Sequence, residues 1–225
     1  MHIRIPLAII FGGILIAGAV FFSMGGSLGQ EGPVRGDPSL VRPIDSTDHI
    51  LGNPDAPVVI VEYADFDCEF CKDFGDALRQ VVATSGAKGE VAWAFRQFPL
   101  TELHPNALAH ARASECVART AGNEAFWRFA DMLFINQPVE PARYGELAQE
   151  AGVTDTDAFA SCYADAAKQV DERIQADRQN ALDTGASGTP YSLVIVPGKR
   201  PVVIDGDISY EALKEIVDRA LEDVR

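Results

Sequence analysis

The chain predicts an α/β domain that carries an inserted helical block and follows an apolar N-terminal helix. Three observations say so. Strand-like apolar runs occur near both ends of the domain, at residues 58–63 and 191–196. Between them, from Leu100 to about Ala164, no strand signal appears and the spacing is helical. Cys68-Glu69-Phe70-Cys71 directly follows the first run and opens a helical stretch at Lys72.

In order, Met1-His2-Ile3-Arg4 precedes a mostly apolar run over residues 5–24. That is near the roughly 20 residues a helix needs to cross a bilayer. Residues 1–24 are expected to be a transmembrane signal anchor or a signal peptide. The anchor is favoured because the apolar run continues past the small residues Ala17-Gly18-Ala19. Residues 25–47 are rich in Gly, Pro, Ser and Asp and read as a flexible linker. The domain proper is expected over 48–225, long enough for an independent core.

Within it, a strand at 58–63 leads through the cysteines to a helix ending near residue 85. Residues 90–98 alternate in part and stop at Pro99, reading as a second strand. Helices are expected over 106–120 and 124–134, separated by Gly122-Asn123, then over 144–151 and from about Asp155. Ala167, Val170, Ile174 and Ala181 recur at helical spacing along 165–183. Strands at 191–196 and 202–205 flank the turn Pro197-Gly198-Lys199, and Ser209 is placed to cap a closing helix through Leu221. The order is β-α-β, a helical block, then α-β-β-α. This matches a thioredoxin fold with an insertion at about 100–164.

The formal net charge of −14 argues against binding nucleic acid or anionic membrane surfaces. Nothing resembles a phosphate-binding loop or a dinucleotide fingerprint, so no cofactor is expected. The four cysteines are an even number in a chain that reads as exported, where disulfides persist. Cys116 and Cys162 are read first as a structural disulfide, worth about 4 kcal/mol on the chain-entropy argument. Two buried thiols and a second redox pair are the alternatives. His104 and His110 could complete a zinc set with Cys68 and Cys71, but the gap is long and no second CxxC exists. No metal is expected. His104 is placed at the entrance to the helical block, His110 on its surface, and His49 in ordinary linker. Phe126, Trp127, Phe129 and Phe134 are expected in the core.

The pair Cys68/Cys71 carries the chemistry. Partial positive charge at a helix start stabilises a thiolate on the first cysteine, which exchanges disulfides, and the second resolves the mixed disulfide. Four pieces of sequence then resemble the DsbA-like branch of the thioredoxin superfamily over roughly residues 48–224. They are Leu51-Gly52-Asn53-Pro54-Asp55-Ala56-Pro57, Asp65-Phe66-Asp67-Cys68-Glu69-Phe70-Cys71, Phe95-Arg96-Gln97-Phe98-Pro99-Leu100 and Gly188-Thr189-Pro190. The resemblance implies Cys68 as the exposed nucleophile and Cys71 as the shielded resolving thiol. It implies Pro190 as a cis-proline facing them, with the Thr189 backbone, Glu69 and Phe70 meeting substrate. Glu62, six residues before Cys68, would be a buried acid relaying protons to Cys71. The best-known oxidant of the group has Pro-His between its cysteines; here Glu69-Phe70 stands instead. Asp65, Asp67, Glu69 and Asp73 surround the pair with only Lys72 opposing, so the Cys68 pKa is expected to be raised and the oxidising power moderate.

The expected function is a membrane-anchored, extracytoplasmic (periplasmic or extracellular-side) thiol–disulfide oxidoreductase. It would act as a dithiol oxidase on exported proteins with free thiols and be recycled by a membrane redox partner. A disulfide isomerase or reductase of the same fold, or a non-catalytic binding or chaperone module, is the alternative.

Overall fold

Every residue of the strand Val58–Ala64 (β2) is buried, which a strand reaches only when both faces of its sheet are covered. The computed structural model describes residues 36–224. In it β2 is the middle of five strands, with His49–Gly52 as β1, Val91–Gln97 as β3, Tyr191–Ile195 as β4 and Val202–Asp205 as β5. The order across the sheet is β1-β3-β2-β4-β5. Only β3 runs parallel to β2, and the other neighbouring pairs are antiparallel.

Period two divides the core. Val58, Ile60 and Ala64 face the larger cluster, with Trp93 and Phe95 of β3. Helix Glu69–Thr84 (α1) joins it through Phe74, Leu78 and Val81, and Tyr210–Val224, the closing helix, through Leu213 and Val217. Val59, Val61 and Tyr63 face the other side, with Ala94, Leu193 and Ala181.

The helical block begins with α2, Ala107–Ile135. Gly122 breaks it with φ +82° and ψ −178°, in open surroundings, so the conformation alone demands glycine. Tyr144–Ala151 (α3) and Thr156–Ala164 (α4) follow, the latter capped by Asp155. Cys116 of α2 and Cys162 of α4 form a disulfide with Cα atoms 5.7 Å apart. Phe126, Trp127, Phe129 and Phe134 are all buried.

Several features depart from the sequence reading. The sequence reading places no strand at β1, because four residues on a sheet edge leave little periodic signal. The helix expected over 165–183 is interrupted at Val170, giving Ala166–Gln169 (α5) and Asp171–Thr184 (α6); the closing helix is therefore α7. His49 is no linker residue. It lies in β1 with Nε2 2.9 Å from Glu115 Oε1 and stacks on Phe126 at 3.6 Å. His110 is 1% exposed rather than on the surface.

Residues 36–47 were expected to be part of a free tether but run along α6. Gly36 crosses Gly185 where a Cβ would sit 2.1 Å from the Asp183 carbonyl oxygen. Asn180 accepts from the Arg42 backbone N–H and donates to the Leu40 carbonyl. The anchor or signal segment expected at 1–24, and linker residues 25–35, lie outside the described residues. Among the described residues, no helix is long and apolar enough to cross a membrane.

Beneath this crossing lies a buried ion pair. Arg96 Nε and Nη2 donate to the two Asp48 oxygens at 2.8 and 3.0 Å, both side chains fully covered. Arg96 also donates to the Tyr63 hydroxyl and to the Arg42 and Pro43 carbonyls. A buried cation is tolerated only with its donors matched in this way. Arg96→Met should therefore destabilise the domain by about 3–5 kcal/mol in urea unfolding, because the buried Asp48 carboxylate keeps only the Asp45 N–H and the more distant Arg42 as partners. The double variant R96M/D48N should recover part of that loss.

Candidate active site

The site is built where β2 ends. Asp65, the next residue, turns its buried carboxylate back into the loop. Oδ1 accepts from the Asp67 N–H at 2.9 Å and Oδ2 from the Leu100 N–H at 2.7 Å. Oδ2 also lies 2.9 Å from His104 Nδ1. The Asp65 carbonyl accepts the Cys68 N–H at 3.1 Å. Cys68 then occupies the N-cap of α1 in extended conformation, with its carbonyl accepting the Lys72 N–H. Both sulfurs consequently sit in the first turn, close to unpaired backbone N–H groups.

The two thiols have opposite environments. Cys71 is fully buried, and burial first, then Cys68 and the Glu62 carboxyl, pushes its thiol well above the ordinary range. Cys68 is 6% exposed, more recessed than the exposed nucleophile expected from sequence. Its pKa falls to about 6. The Cys71 thiol donating to its sulfur is the main cause, and Thr189 and the backbone N–H groups of Cys71 and Phe70 add to it against the cost of burial. When protonated, Cys68 Sγ donates to the Thr189 carbonyl at 3.4 Å. The Thr189 hydroxyl oxygen is buried, with no hydrogen-bond partner among the described residues.

The acids expected to raise Cys68 do not do so. The Asp65 carboxylate is spent on its three donors, and Asp67 Oδ1 lies 2.9 Å from His110 Nε2. Glu69 and Asp73 stand in water, where charge is screened. Lys72 points to Asp73 and Asp76, at 3.6 and 3.8 Å. Local hydrogen bonds to the sulfur outweigh the nearby charges.

Glu62 lies on the same sheet face, fully buried and opposite Ser192 of β4 and Phe95 of β3. Burial, reinforced by the Cys68 thiolate, raises its carboxyl to about 8. Trp93 and the cation of Arg79 work in the opposite direction. Neither Glu62 oxygen makes a well-formed hydrogen bond among the described residues, and Trp93 Nε1 and Ser192 Oγ are similarly unpartnered.

The Thr189-Pro190 peptide is cis, and Pro190 is buried. Glu69 and Phe70 are exposed, Phe70 by 52%. Cys116 and Cys162 are bonded to each other, whereas Cys68 and Cys71 are free thiols. Sequence reasoning did not assign Gln137, whose Nε2 donates to the Phe66 and Cys68 carbonyls from across the helical block. Nor did it assign Arg79, which lies 5.4 Å from the ring centres of both Trp93 and Trp127. Arg79 and Trp93 could have been noticed by period, since Trp93 shares the core-facing set of β3. Gln137 lies 69 residues from Cys68 and gave no local signal. Among the described residues no group of His, Cys, Asp and Glu is arranged to hold a metal.

A family model described as Thioredoxin matches residues 45–219. The oxidised structure of BdbD from Bacillus subtilis is similar with a TM-score of 0.68 and 25% identity, covering 80% of this chain and 96% of that one. DsbA2 of Pseudomonas aeruginosa shares the fold with a TM-score of 0.65 and 23% identity, covering 81% and 99%. Among curated sequences, the Na(+)/H(+) antiporter NhaA 1 of Mycolicibacterium gilvum is 33% identical over 195 residues. That match covers 84% of this chain but 30% of the antiporter. NhaA 3 of Salinispora tropica is 33% identical over 199 residues, covering 86% and 28%. The chain thus spans less than a third of the length of these curated relatives. With its matched residues, its sheet order and its cysteine pair at the start of α1, the chain belongs to the thioredoxin family and is built on the plan of the DsbA-like proteins.

Proposed function

We propose that this protein is an extracytoplasmic thiol–disulfide oxidoreductase that introduces disulfides into exported proteins through Cys68–Cys71. One observation carries the reading: the two thiols are split, with Cys68 lowered to about 6 and Cys71 pushed up above a buried acid. A stabilised Cys68 thiolate favours the reduced enzyme, which is what makes a disulfide a donor.

The reaction follows. A substrate thiolate attacks Cys68 Sγ of the enzyme disulfide, and the electron pair of the broken S–S bond passes to Cys71. Glu62, protonated below about pH 8, gives its proton to that sulfur. A second substrate thiolate attacks the substrate sulfur of the mixed disulfide, releasing Cys68 as thiolate. The substrate loses two electrons, and a membrane redox partner would restore the enzyme disulfide. The cis peptide at Pro190 and the Thr189 backbone would meet the extended substrate chain, beside Glu69 and Phe70. Residues 1–24 would anchor the protein, with residues 48–225 on the extracytoplasmic side and the Cys116–Cys162 disulfide serving stability. Transport stays with the much longer antiporter relatives.

The reduction potential against glutathione tests the reading. A value near −120 to −180 mV fits a disulfide donor, and one near −270 mV makes the protein a reductase. Cys68→Ser should abolish exchange, whereas Cys71→Ser should accumulate mixed disulfides visible on non-reducing gels. In the reduced protein, the pH dependence of Cys68 alkylation should show a midpoint near 6.

Glu62 gives a signed pH prediction. Its folded pKa of about 8 exceeds the ordinary 4.5, so the folded state binds the extra proton between these values and loses stability as pH rises through the window. Glu62→Gln should therefore be more stable than wild type at pH 9, by about 3 kcal/mol or more, and similar at pH 4. The same variant should slow exchange at least about tenfold below pH 8, with the deficit closing above it, where wild-type Glu62 has no proton to give.

A further inference from the structure

The CxxC motif has no histidine of its own, yet the fold sets an imidazole in a cleft lined by Asp67 and Glu69, the residues on either side of Cys68. We propose that His104 is a catalytic base of the exchange reaction, its Nε2 accepting the proton of the incoming substrate thiol as that sulfur attacks Cys68. The proposal rests on the oxidoreductase reading above.

Four observations place it there. The buried Asp65 carboxylate lies 2.9 Å from Nδ1, and a carboxylate only accepts, so Nδ1 carries the hydrogen and, in the neutral ring, Nε2 carries the lone pair. The ring is mounted on fixed backbone: His104 N–H donates to the Leu100 carbonyl at 2.9 Å, and its own carbonyl accepts from Ala107 at 3.1 Å. A quarter of the side chain is exposed, and Nε2 makes no hydrogen bond among the described residues. Finally, His104 lines a cleft of about 430 Å³ with Asp67 and Glu69, the neighbours of Cys68 in sequence, and Gln137, which holds the Cys68 carbonyl.

His110 shows the contrast. Asp67 occupies its Nε2 and the Tyr144 hydroxyl its Nδ1, leaving neither nitrogen for substrate. Base and orienting carboxylate are the fixed part of the arrangement used to activate weak nucleophiles, and the substrate thiol is the group they would activate.

Such a base answers a need. An ordinary thiol of pKa about 8.5 is only about 1% ionised at pH 6.5, so removing its proton in the encounter complex can gain at most about 100-fold. The charges facing the imidazole are the carboxylates of Asp65, Asp67 and Glu69; Asn106 and Gln137, from the helical block, are uncharged. The step balances. The S–H proton moves to Nε2, the substrate–Cys68 bond forms, the Cys68–Cys71 bond breaks, and Cys71 is protonated by Glu62. His104 then returns its proton to water through the open cleft.

The test uses the oxidised protein and two small monothiols in stopped flow at pH 6.5. One is an ordinary aliphatic thiol; the other is acidic enough to be fully ionised at that pH. Asparagine keeps a donor toward Asp65, so the variant is His104→Asn. The expected result is a loss of about tenfold with the aliphatic thiol, none with the ionised one, and an unchanged reduction potential. Equal slowing of both thiols would reduce His104 to a structural role, and no slowing of either would remove it from the reaction. A wild-type measurement guards against a misfolded variant. The rate with the aliphatic thiol should stay flat where the imidazole is neutral and the thiol still protonated; a tenfold climb per pH unit there overturns the proposal. Wild-type protein that exchanges with neither thiol overturns the oxidoreductase reading itself.

Discussion

The geometry of the site depends on one carboxylate that takes no part in electron transfer. Asp65 gathers the end of β2, the loop after β3 and the entrance to the helical block by accepting from Asp67, Leu100 and His104. Its carbonyl, accepting the Cys68 N–H, starts α1 where both sulfurs meet the helix N-terminus. A buried charge is costly unless its acceptor sites are filled, and filling them is what draws three separate segments together. The thiols inherit a rigid frame from this demand.

That frame explains why nearby acids in the sequence misrepresent the electrostatics. Four carboxylates within a few residues of Cys68 suggested a raised thiol, yet two are tied to other donors and two stand in solvent. The groups touching the sulfur are the Cys71 thiol, Thr189 and backbone N–H groups, and these favour the thiolate. Contact decides the sign where screened charge does not.

The same distinction separates what the sequence made legible. The β-α-β start, the helix break at Gly122, the helix start near Asp155 and the closing hairpin are local patterns, and each reappears in the fold. Buried polar pairings are not local. Arg42 meets Asp177 135 residues away, His49 meets Glu115 66 away, and Gln137 reaches Cys68 across 69. No periodicity encodes such partners, so His49 and His110 read as solvent-facing residues and residues 36–47 as free tether. For the candidate site, the cysteines, Glu62 and Pro190 were named through spacing and resemblance, and the fold brings Glu62 and the cysteines to one face of the sheet. His104 was visible only as a residue at an entrance, because its meaning lies in Asp65.

The aromatic layer beneath the thiols has one more consequence. The chain contains two tryptophans. Trp93 and Trp127 lie 4.5 Å apart, centre to centre, and share the Arg79 guanidinium, with Trp93 facing the Glu62 side chain. All indole fluorescence therefore arises from a single cluster whose local field includes the carboxyl and thiols of the active site. With no background from indoles elsewhere, the emission of the unlabelled protein comes wholly from the pair of rings that packs beside Glu62 and Arg79.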